Sequence, residues 1–151
     1  HLLAMDAGKV LAIGTPAARF GLTETRLGLL PAVISPYVVA AIGPRQARRW
    51  FASAGTFDAD TAARIGLLHE VVAAEALDAA VQAQVVLLCR AAPRATGMAK
   101  ALVRQVLAER DPAACDRANA GLIAALRVSP EGQEGLGAFL EKRTPAWATE
   151  A

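Results

Sequence analysis

Glu24 is the residue whose surroundings set it apart. It stands between Leu22 and Leu27, where an apolar stretch gives way to a turn. A carboxylate in that company is a weak candidate for acid–base work. On position alone, a solvated residue or a helix cap is the commoner use of such a glutamate. The other reactive groups are scattered. His69-Glu70 has no paired nucleophile and reads as strand surface. Cys89 and Cys115 lack a CxxC partner and read as small buried hydrophobes. Arg45, Arg48 and Arg49 share one side of a helical stretch. They can attract phosphate, but a solvated helix face is the plainer use. Two histidines and two cysteines are too few for a metal cluster, so no metal site is expected. There is no Walker loop, GxSxG or HExxH pattern. Gly132, Gly135 and Gly137 follow no strand with a phosphate-binding turn.

The elements that position these groups follow from breakers and periodicity. Val10–Ile13 reads as a short strand closed by Gly14, Thr15 and Pro16, and Arg19–Leu22 as a second. Thr23–Leu30 reads as a turn or short helix. Ser35-Pro36 predicts a helix start, with Ser35 as cap, running to Ile42 and stopping at Gly43. Pro44 opens another helix with Ala47, Trp50 and Phe51 facing inward. Asp58 should cap a helix over Ala59–Ile65, ended by Gly66, and Leu67–Val72 fits a strand. Helical periods then run over Ala74–Ala91, Thr96–Leu107, from Asp111-Pro112 to about Val128, and from Ser129-Pro130 to Lys142-Arg143. The last residues, from Thr144 on, read as a tail. A few short strands cannot make an independent sheet, so they are expected to join one supplied from elsewhere.

Composition agrees with packed helices. Of 151 residues, 54% are hydrophobic, and alanine makes up about a quarter, which excludes a disordered polar chain. Sixteen basic and fourteen acidic residues leave a net charge of +2, so no nucleic-acid partner is expected. Mean hydropathy is +0.34, yet the charge-free stretch Leu27–Ile42 is short and broken by Pro31 and Pro36, so no membrane span is expected. The start, HLLAMDAGKV, lacks a basic leader segment and carries Asp6 and Lys9. With so little cysteine, a reduced, cytoplasmic setting is expected.

Several ordered segments carry a resemblance. ARFGLTETRLGLLP (Ala18–Pro31), the helix end Ile42-Gly43, TFDADTAARIGLLHEVV (Thr56–Val72), Ala99-Lys100 and SPEGQEGLGAFLEKRTPAW (Ser129–Trp147) together resemble the enoyl-CoA hydratase/isomerase family, the crotonase superfamily. The likeness covers Val10–Trp147 and looks like the C-terminal part of such a subunit. It implies an α/β, ClpP/crotonase-like fold, with the catalytic segment in residues 1–72 and a helical region in 73–151 for coenzyme A contact and oligomer packing. PAVISPYVVAAIG (Pro31–Gly43) stands where simple hydratases carry a glycine-rich loop. It looks more like hydratases of methylglutaconyl-CoA or isohexenylglutaconyl-CoA type.

That resemblance implies addition of water to an α,β-unsaturated acyl-CoA, with isomerisation or another acyl-CoA lyase reaction, or a non-catalytic binding and packing role, as alternatives. Glu24, in FGLTE, falls on the position of a family catalytic carboxylate. Ala4 lies near the place of the second glutamate that some members carry, and Lys9-Val10 replaces a usual Cys-Asp pair. By the same likeness Leu22, Leu27, Pro31 and Tyr37 would line the acyl site. Phe139 and Lys142 would contact coenzyme A, often from a neighbouring subunit. Coenzyme A is part of the substrate, and no separate cofactor is implied. The partner is an acyl-CoA, and the assembly a homo-oligomer, trimer or hexamer.

Overall fold

The structure, a computed structural model, describes residues 11–148. The sequence readings at Ala4, Asp6, Lys9 and Val10 lie outside them. The described residues fall into two compact units, divided between Gln82 and Ala83.

The first unit runs β1 (Ile13–Gly14), β2 (Arg19–Gly21), a 3-10 turn (Glu24–Leu27), α1 (Ser35–Ser53), β3 (Thr56–Asp58), α2 (Ala59–Arg64), β4 (Glu70–Val71) and a 3-10 turn (Ala74–Ala76), then enters α3 (Leu77–Cys89). Among the described residues the strands pair with one another. β2 and β3 are antiparallel, with Phe20 opposite Phe57. β1 and β4 are parallel, with Ile13 opposite Glu70 and Gly14 opposite Val71. Gly14 is the last residue of β1 rather than the first beyond it. It belongs to the ladder, and its carbonyl accepts the Val72 N–H at 3.0 Å. β4 is shorter than Leu67–Val72 because the Leu67 and Leu68 N–H groups both bond the Ala62 carbonyl, at 2.8 and 3.1 Å, and so finish α2.

α1 departs from the sequence expectation at its start. Ser35 caps nothing: its Oγ donates to the Ala32 carbonyl at 2.8 Å, and Ile34 holds the cap position. Gly43 breaks the helical conformation as expected, and the helix opened by Pro44 follows it across a kink, the two making up α1. The glycine's φ of 73° and ψ of 162° turn the axis, and Pro44, which has no N–H to lose, starts the next turns. Beyond the kink Ala47 and Trp50 face the core. They join Leu22, Val38, Ile42, Phe57, Ala59, Ala62 and Leu68 in one buried cluster. Phe57 lies against Trp50, ring centres 4.3 Å apart, and stacks on Phe20 at 5.7 Å. Asp58 does cap α2, accepting the Thr61 N–H at 2.8 Å.

The second unit is helical: α4 (Pro93–Ala108), α5 (Pro112–Arg127) and α6 (Pro130–Glu141) follow the end of α3. Each of the three starts on a proline, whose missing N–H is harmless in a first turn. Pro93 thus opens α4 and parts it from α3. Asp111 accepts the Ala113 N–H at 3.0 Å. Buried Ser129 accepts the Gly132 N–H at 3.1 Å and donates to the Leu126 carbonyl at 2.7 Å. The α4 start is closed from α6, where the Glu131 carboxylate accepts the Arg94 and Ala95 N–H groups at 3.0 and 2.8 Å. Cys89 is exposed and Cys115 half-buried, so the expectation of two buried thiols fails. No helix among the described residues is long and apolar enough to cross a membrane.

The segment that reads as a tail is held. α6 stops at Glu141, short of Lys142-Arg143, because Lys142 takes a left-handed conformation. Arg143 then grips both oxygens of Glu134, at 2.7 and 2.8 Å, and Glu141 at 2.6 Å. Glu134 also accepts the Ala146 N–H at 2.8 Å, and the Trp147 indole N–H reaches the Arg90 carbonyl at 3.3 Å. The hydrogen bonds from Arg143, then from Ala146, lower the Glu134 carboxyl to about 2.

Two outcomes follow. Ser129→Ala removes the α6 cap and should lower stability by about 1–2 kcal/mol in urea unfolding; an unchanged midpoint would dismiss the cap. Glu134 titrates lower in the folded chain than the ordinary 4.5, so its contribution is complete above that value and is lost as pH falls through about 2. The Trp147 indole NMR signal should keep its packed shift down to about pH 3. Release centred near pH 4.5 would contradict the clamp.

Candidate active site

The chain leaves the core at Leu22, which is buried, and reaches Glu24 two residues later. Glu24 opens the 3-10 turn. Arg26 N–H bonds the Thr23 carbonyl at 3.0 Å, and Gly28 N–H bonds the Thr25 carbonyl at 3.2 Å. Gly28 sits at φ 72°, ψ 18°, a left-handed stop that glycine takes without strain. Leu29 N–H returns to the Glu24 carbonyl at 3.1 Å. The turn is therefore closed on itself through backbone bonds. Its link outward is the Thr25 hydroxyl, which donates to the Phe51 carbonyl of α1 at 3.1 Å.

Within this turn the Glu24 side chain is half-buried, and its Oε2 is buried with no hydrogen-bond partner among the described residues. Leaving a carboxylate oxygen unpaired costs stability that folding alone does not repay. The same oxygen is thereby free to accept a proton or hold a water. Apolar side chains follow at once: Leu27, Leu29, Leu30 and Val33 are well exposed, while Pro31 is buried. Tyr37, on the first turns of α1, is 41% exposed. Leu22, Glu24, Leu27, Pro31 and Tyr37 thus belong to one unit. Leu22 packs inward with Val38 and Ile42, and Leu27 and Tyr37 offer surface.

Phe139 and Lys142 belong to the second unit. Phe139 is 80% exposed on α6. Lys142 caps that helix at φ 54°, ψ 39°, and its N–H bonds the Phe139 carbonyl at 3.3 Å. A non-glycine residue in this conformation costs about 1–2 kcal/mol, and residues held so cluster at functional positions.

The remaining candidates keep their plainer uses. Arg45, Arg48 and Arg49 are exposed on α1, and the Arg49 guanidinium lies 4.6 Å over the Trp50 ring. His69 extends the β1–β4 ladder: its Nδ1 accepts the Ala12 N–H at 3.0 Å, and its own N–H bonds the Ala12 carbonyl at 2.8 Å. The described residues hold no cluster of His, Cys, Asp or Glu that could bind a metal ion. Sequence reasoning passed over Thr25 and the Glu134–Arg143 pair. A hydroxyl next to a turn carboxylate was the available signal for the first; the second closes across nine residues and leaves no local mark.

Comparison with known proteins gives the family and the fold. The family model for enoyl-CoA hydratase/isomerase matches residues 2–150. The Mycobacterium leprae protein named "Probable enoyl-CoA hydratase echA8" is 33% identical over 146 residues, covering 89% of this chain and 52% of that protein. A crystal structure of an enoyl-CoA hydratase from Shewanella pealeana superposes with a TM-score of 0.88 at 40% identity, over 93% of this chain and 52% of that one. One of an enoyl-CoA hydratase/isomerase from Marinobacter aquaeolei gives 0.89 at 38% identity, over 95% and 54%. The chain thus spans about half the length of the relatives it matches. Its α/β fold is crotonase-like, and the chain belongs to the enoyl-CoA hydratase/isomerase family.

Proposed function

We propose that Glu24 is the acid–base residue of an enoyl-CoA hydratase-type reaction. The observation that carries this reading is the buried Glu24 Oε2, unpartnered among the described residues, on a turn fixed by Gly28 and edged by apolar side chains. Oε2 accepts a hydrogen bond from water and takes its proton as the water oxygen bonds the β-carbon. The double-bond electrons move through the α-carbon onto the thioester oxygen. The carboxyl then returns its proton to the α-carbon, so that H and OH add across the bond and Glu24 is restored. The developing charge on the thioester oxygen calls for backbone N–H donors, which the family pattern places upstream of Glu24.

The acyl group we assign is branched or glutaconyl-type. Support comes from the Pro31–Gly43 segment, which replaces a glycine-rich loop with Val33, Tyr37 and bulky neighbours. Phe139 and Lys142 are assigned to coenzyme A, with the strained cap at Lys142 as support. Exposed apolar residues on the helices, among them Leu107, Ile123, Phe139 and Leu140, favour a homo-oligomer. An isomerase would use the same carboxylate without water, so the product decides between the two reactions.

In the full-length protein that carries this chain, Glu24→Gln keeps the side chain's shape and removes the base. Turnover of an enoyl-CoA, followed by loss of enoyl-thioester absorbance, should fall by about two to four orders of magnitude with folding intact. Activity within a few-fold of the parent would refute the assignment. Lys142→Ala should raise KM at low salt with little change in kcat, and the effect should shrink as ionic strength rises. An unchanged KM at low salt would leave Lys142 as a helix cap alone.

A further inference from the structure

We propose that Thr25 is a positioning residue for Glu24: its hydroxyl ties the turn that bears the carboxylate to the end of α1. The inference rests on Glu24 as the acid–base group. All the other hydrogen bonds of the turn run between residues 23 and 29, so they shape it without placing it. Among the described residues, the bond from Thr25 Oγ1 to the Phe51 carbonyl, 3.1 Å long, is the one that joins the turn to another element.

The acceptor is suited to the task. Phe51 lies in the last turn of α1, where carbonyls have lost their helical donors. The Gly55 N–H, which would continue the ladder to Phe51, bonds the Ser53 Oγ at 3.3 Å instead. The Phe51 carbonyl is therefore open to a hydroxyl from outside the helix. It is also well placed mechanically. Its neighbour Trp50 is 7% exposed and packs against Phe57, so this end of α1 is anchored in the core. The turn itself has no such anchor: none of its residues is buried, and Leu27 is 76% exposed. Backbone bonds set the shape of the turn, and the threonine sets its position relative to a rigid element. A small misplacement of a reacting group costs turnover steeply.

The test uses the full-length protein that carries this chain, with an enoyl-CoA as substrate and absorbance as readout. Thr25→Val is close to isosteric and deletes the donor. It should lower kcat about five- to tenfold at unchanged KM, the scale of one lost neutral hydrogen bond. Thr25→Ser keeps the hydroxyl and should stay within about twofold of the parent. In a Glu24→Gln background Thr25→Val should cost nothing more, because the group it positions is gone. If the valine variant does not fold, Thr25→Ala takes its place in the same comparison. A folded Thr25→Val or Thr25→Ala enzyme with parental kcat would overturn the proposal. So would equal losses in the serine and valine variants, or a full further loss in the Glu24→Gln background. If Glu24→Gln alone leaves turnover intact, the assignment of Glu24 fails first, and the role of Thr25 falls with it.

Discussion

The stack of Trp50, Phe57 and Phe20 is the contact on which the first unit depends. β2 and β3 are three residues each, and a two-stranded ladder of that length has little stability in water. Three aromatic rings tie it to α1, and burial of such rings is among the largest single contributions a small core receives. The consequence for chemistry is one of distance along the chain. Phe20 is four residues before Glu24, and Leu22 enters the same core between them. The carboxylate inherits its place from the strand, and its local geometry from a turn that glycine closes and threonine ties back to α1.

The second unit is built on different terms. Many of its large apolar side chains are exposed, and its helices are defined at their ends by polar side chains: Asp111, Ser129 and Glu131 satisfy N–H groups that a helix start leaves unpaired. At the other end of α6, Lys142 adopts a conformation that glycine usually fills, and Arg143 turns back onto Glu134. The strained residue and the clamp are adjacent.

Much of this was legible in the sequence where the controlling interactions are local. The caps at Asp58, Asp111 and Ser129, the helices that follow them, and the turn at Thr23–Leu30 all rest on residues within a few positions of one another. The apolar flanks of Glu24 are a weak mark, and the role proposed for it rests on the likeness of the FGLTE segment. What the sequence hid depends on contacts between distant residues. β3 is too short to show an alternating pattern, and it exists because Phe57 meets Phe20 and Trp50. Gly43 was legible as a break, but that the two helical segments meet at a kink with Ile42 and Ala47 both in the core was not. The tail looked free because its partners, Glu134 and Arg90, lie well upstream.

As the proposed acid–base group, Glu24 turns its free oxygen toward the reacting carbons of an enoyl-CoA. A crystal structure of the full-length protein with a slowly reacting acyl-CoA analogue bound measures that directly. Oε2 should hold a water at about 3 Å, directed at the β-carbon. An acyl chain bound elsewhere, with Oε2 still unpartnered, would contradict a catalytic role for Glu24.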